Sequence, residues 1–106
     1  MSLVTSACLY VDYAPTESHK RLLEPLPFDS REQAFKKIPW QAGGGTKGMI
    51  GDVYLAGFNF VLPDDLVGHV REVLGPAAIA VLVVNMEDDP DVHVFGSEVT
   101  VHPHER

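Results

Sequence analysis

Pro63-Asp-Asp-Leu-Val-Gly-His-Val-Arg-Glu-Val-Leu74, then Gly75-Pro76, then Ala77-Ala-Ile-Ala-Val-Leu-Val-Val84, is the stretch whose reading decides the fold class. Leu66, Val67, Val70, Val73 and Leu74 recur at i, i+1, i+4, i+7 and i+8, which predicts a helix from Asp64 to Leu74 with one apolar face. Pro63 fits the first turn, where its missing N–H would have no partner anyway, and Gly75-Pro76 stops the helix. The next eight residues are apolar at every position. They predict a central strand covered on both faces, with helices against at least one of them.

Working back towards the N-terminus, Asp52-Val-Tyr-Leu-Ala-Gly-Phe-Asn-Phe-Val61 has strand composition. Before it lies Ala42-Gly-Gly-Gly-Thr-Lys-Gly48. Its glycines invite a phosphate-loop reading, but Lys47 follows Thr46 and leads towards a strand, so the spacing fails and a loop is predicted. Ile38-Pro39-Trp40-Gln41 is a candidate edge strand, Pro39 keeping it at an edge. Arg31 to Lys37, capped by Asp29 or Ser30, is a candidate short helix carrying Ala34 and Phe35. A helix from Glu17 to Glu24, with Thr16 as N-cap, is stopped by Pro25 and Pro27. Leu3 to Tyr13, rich in β-branched and aromatic residues, is the first strand.

Towards the C-terminus, Glu87-Asp-Asp-Pro-Asp91 is a turn, and Asp91–Phe95, Gly96-Ser97 and Glu98–His102 fit a two-residue hairpin with glycine first. Pairing across it puts Val92, Val94, Val99 and Val101 on one face, with His93, Phe95, Glu98 and Thr100 on the other. The predicted architecture is a single α+β domain over residues 1–106, a two-layer sandwich with a C-terminal β-hairpin. If residues 38–41 form a strand, the first six elements have the ferredoxin-like order β-α-β-β-α-β.

A chain of 106 residues, 45% of them hydrophobic, closes one core. The net charge of −7 disfavours a nucleic-acid or anionic-membrane partner, since both require clustered basic side chains. One cysteine, Cys8, excludes an internal disulfide and a multi-cysteine zinc site, so a reducing cytoplasm is the expected compartment. The absence of Lys and Arg before Lys20 argues against a signal peptide. Cys8 itself, in an apolar strand, is expected to be an inert core thiol. Asp65, His69 and Glu72 share a helix side, and His102 and His104 flank Pro103, but neither set has a zinc-site signature. No metal, cofactor or catalytic residue is assigned.

Charge is segregated along the chain. Residues 1–47 carry a net +1 and residues 48–106 a net −8. Asp64 and Asp65 at a helix start complement the helix dipole. Glu87, Asp88, Asp89 and Asp91, four acids in a five-residue turn, have no such explanation, and they suggest an electronegative surface that steers a cationic protein.

Cys8-Leu-Tyr-Val-Asp12, Glu17-Ser18, Asp52-Val-Tyr-Leu-Ala56, the helix to Leu74 and the run Ala77 to Asn85 together resemble small immunity proteins of bacterial contact-dependent growth inhibition systems. The resemblance implies a cytoplasmic, non-enzymatic protein that blocks the toxic C-terminal domain of a delivered effector, often a nuclease. It transfers no individual site residue. The charge reading adds the expected contacts: Asp64, Asp65, Glu87, Asp88, Asp89 and Asp91 for basic side chains, with Phe95 as apolar anchor beside His93 and Glu98. The alternative is a small ferredoxin-like enzyme or small-molecule-binding domain, its pocket near the glycine loop lined by Tyr10, Trp40 or His69. A homo-oligomer through the hairpin is compatible with either.

Overall fold

The computed structural model of the chain describes residues 4–39 and 51–96. Its elements are β1 (Val4–Tyr13), α1 (Thr16–Leu22), β2 (Lys36–Lys37), β3 (Asp52–Asn59), α2 (Pro63–Leu74), β4 (Ile79–Met86) and β5 (Pro90–Phe95). All strands join one antiparallel sheet in the order β2-β3-β1-β4-β5. The first six elements therefore run β-α-β-β-α-β with β1 between β3 and β4, the ferredoxin-like arrangement, and β5 extends the sheet beyond β4.

Alternation along each strand sends one set of side chains towards the helices. Thr5, Ala7, Leu9 and Val11 of β1, Tyr54 and Phe58 of β3, and Ala80, Leu82 and Val84 of β4 are buried there. Helix α2 closes this layer with Leu66, Val67, Val70, Val73 and Leu74, the five positions its periodicity selects. Pro63 is its first residue, and Gly75 follows its last turn at φ +81°, where a side chain would be strained. Thr5, wholly buried, satisfies its hydroxyl by donating to the Val61 carbonyl at 2.7 Å.

Several local expectations are corrected. Residues 31–37 form no helix. Phe35 is buried edge-on against Phe58 at 5.3 Å between centroids, and the Gln33 side chain bonds both the N–H and the carbonyl of Asn59. These tertiary contacts hold the segment extended and outweigh its weak helical pattern. The edge strand is accordingly Lys36–Lys37, shifted upstream of 38–41, with Ile38 N–H still donating to Val53 at 2.8 Å. Helix α1 begins at Thr16 with Pro15 in the cap position, so Thr16 is its first helical residue and not its cap.

A further correction concerns β4. Among the described residues, helices cover one face of the sheet only, and Val81 and Val83 are 36% and 37% exposed on the other. On that open face the register aligns Lys36, Leu55, Cys8, Val83 and Val92 in one row across the strands. Val53, Tyr10, Val81 and Val94 make the next row. Cys8 is thus exposed and central on an apolar sheet surface, not a core thiol.

Candidate protein-binding site

The β4–β5 connection is where sequence acidity acquires geometry. Glu87 and Asp88 take φ +57° and +67°, and Asp89 N–H donates to the Met86 carbonyl at 3.2 Å. Positive φ at both central residues defines a type I′ turn, which matches the twist of the hairpin but favours Asn-Gly. Side-chained residues in the left-handed region cost about 1–2 kcal/mol each, somewhat less for aspartate. Two carboxylates therefore occupy positions where the backbone would prefer other residues.

This turn lies beside the start of α2. Asp64, Asp89 and Asp91 line one hollow of about 280 Å³ together with Leu62, Pro63, Val84 and Met86. Glu87 and Asp88 line a second hollow with Val4, Ser6 and Asn85, on the open face of the sheet. Five of the seven predicted acids thus lie at one end of the sheet. Asp65 does not join them, since it turns towards a separate hollow with Pro27, Phe28, His69 and Glu72. Glu98 lies outside the described residues, as do the pairing of residues 98–102, Trp40 and the glycine loop.

The apolar anchor is also corrected. Phe95 is 7% exposed, packed on the helix side of the sheet with the Arg71 guanidinium over its ring, 5.3 Å from the centroid. His93 shares that side, half-buried, with Nε2 3.7 Å from Asp91. Exposed apolar groups at the acidic end come instead from the β3–α2 connection, where Leu62 is 52% and Phe60 53% exposed. Phe60 is held at φ +61°, a rare conformation for an aromatic residue, with Arg31 stacked over its ring at 4.9 Å. Strand composition conceals this residue in the sequence, because Phe58-Asn-Phe60-Val61 reads as continuous strand.

A second polar cluster has no sequence signal at all, its members lying up to 35 positions apart. His19 Nδ1 is 2.6 Å from the Tyr54 hydroxyl and 3.6 Å from Asp52, which also meets Lys37 Nζ at 3.4 Å. Burial, then the Asp52 charge, pushes the Tyr54 hydroxyl up to about 12, so it stays protonated; the imidazole tautomer sets which of the two groups donates in its bond to His19. Tyr54 has no exposed surface, and through it the cluster ties α1, β2 and β3 together, with His19, Asp52 and Lys37 at its partly exposed rim.

Of the residues proposed for a small-molecule pocket, the two described, Tyr10 and His69, do not converge. Tyr10 faces out from the open side of the sheet, whereas His69 lies on α2 in the opposite layer. Among the described residues, no group of three or more His, Cys, Asp or Glu side chains has metal-binding geometry. Burial, then the Arg21 charge, holds the His69 imidazole below its usual range, with Glu72 opposing. Folding thus favours the neutral ring. The unfolded chain takes up this proton near pH 6.5, the folded chain only lower, so the contribution is whole above about pH 6.5 and is lost as pH falls through the folded value. His69→Gln should flatten the fall in urea midpoint as pH drops below about 6.5.

No helix among the described residues is long and apolar enough to cross a membrane. Comparison with protein-family models, with curated proteins and with solved structures gives no match.

Proposed function

We propose that the chain is an immunity protein that binds a basic toxin domain, of nuclease type, in the bacterial cytoplasm and neutralises it by covering its active surface. The observation that carries this reading is the acidic hairpin tip. Glu87 and Asp88 sit in left-handed turn positions that favour asparagine and glycine, next to Asp64, Asp89 and Asp91. A charge kept at a cost to the fold is most simply explained by what the charge binds. A nuclease must present cationic side chains to phosphate, and this end offers them carboxylates, with Leu62 and Phe60 supplying apolar contact.

The turn supplies a stability test of that explanation. Glu87→Asn with Asp88→Gly should raise stability by about 1 kcal/mol in urea denaturation while weakening the toxin complex. Loss of stability would remove the argument from strain. The functional test is co-expression with candidate basic toxin domains encoded beside this gene. Cells should survive only when the chain is present, and a one-to-one complex should purify. Death in its presence and no complex would overturn the proposal.

A further inference from the structure

The face of the sheet that carries no helix among the described residues is a separate feature, and it is unusually apolar for a surface. Val92 and Val94 are 61% and 63% exposed, and Leu55 is 42% exposed across the sheet from them. The two central rows contain no carboxylate, and Lys36 stands only at the β2 edge. Soluble monomers rarely leave so continuous an apolar patch uncovered.

With strands about 4.8 Å apart and residues about 3.3 Å apart along them, the face spans roughly 20 by 20 Å. Allowing for its pleat, it offers on the order of 500 Å² of accessible surface, so two copies together bury about 1,000 Å², the lower bound for a specific interface. A cationic partner finds no counter-charge in these rows. A second copy supplies a surface of the same flatness, size and chemistry, and a two-fold axis makes such a surface self-complementary. Cys8 is the middle residue of its five-strand row, on the middle strand.

We infer that two copies pack sheet to sheet through this face, about a two-fold axis passing close to Cys8. Face-to-face sheets stand about 10 Å apart, beyond the roughly 7 Å between Cα atoms that a disulfide spans. The two thiols therefore oppose one another without bonding. Residues 40–50 and 97–106 of the same chain, and the toxin, are the other occupants such a face can have.

Light scattering after size exclusion, on the full chain between about 5 and 200 μM, tests the inference. A mass of twice 11.6 kDa is expected at the upper concentrations. A short bis-maleimide should join the two Cys8 side chains, while mild oxidation should not. Val83→Lys should leave a monomer with unchanged far-ultraviolet circular dichroism. Should that variant fail to fold, the nearly isosteric pair Val83→Thr and Val92→Thr should still raise the dimer dissociation constant at least tenfold.

A wild-type monomer at every concentration would overturn the inference, and the reaction rate of Cys8 with a thiol reagent would then show whether the chain's own segments cover the face or leave it bare. A dimer indifferent to both variants would overturn it equally, placing the interface elsewhere. Neither result bears on the acidic end, whose charge substitutions are read in a separate complex.

Discussion

Leu82→Ala should cost about 2–5 kcal/mol, whereas Val83→Ala, one residue along, should cost less than about 1 kcal/mol when the protein is dilute. Leu82 has no exposed surface and points between the sheet and α2, in a layer shared with Leu9, Leu66 and Val70. Its truncation leaves a cavity that close-packed neighbours fill only in part. Val83 points to the open face, where its methyl groups already meet solvent. In a domain of this size each kcal/mol moves the melting temperature by roughly 4–8 °C, so the two variants should differ by at least about 4 °C and by well over 10 °C at the upper end of the range. Thermal melts at low micromolar concentration measure this directly. Equal losses would mean that β4 is covered on both faces.

Replacing Glu87, Asp88 and Asp89 together by lysine should have the largest effect on function. The substitution turns three attractive charges at the end of the molecule into three repulsive ones, next to Asp64 and Asp91, which remain. Steering by complementary charge raises association rates by roughly 10- to 1,000-fold, and its reversal should remove most of that gain. Surface plasmon resonance against an inactivated toxin domain would read this as slower association. Circular dichroism should show an intact fold, since these side chains are exposed and contribute nothing to the core.

Helix α2 was legible in the sequence because its five buried residues repeat with the helical period and its ends carry proline and glycine in their preferred places. The architecture followed from the order of the elements. What escaped was decided by contacts distant in sequence. Phe35 and Gln33 meet Phe58 and Asn59 across more than twenty residues, which no local pattern announces. The two faces of β5 were distinguishable by alternation, but not which of them met α2. Four valines look more like core than a face bearing His93, yet the structure buries Phe95 under Arg71 and leaves Val92 and Val94 outside.

For the site, the acids were legible as a cluster in sequence, and proximity added Asp64 to Asp89 and Asp91 while separating Asp65. The left-handed turn and Phe60 required coordinates. A run of acids does not disclose its backbone angles, and an aromatic next to a strand reads as its continuation.

The ionic-strength dependence of the association rate with the toxin domain tests the central claim most directly. Between about 20 and 500 mM salt the screening length shrinks severalfold, so an encounter guided by the acidic end should slow by at least tenfold in the native chain and hardly at all in the lysine variant. A native rate that stays constant across that range would contradict the account.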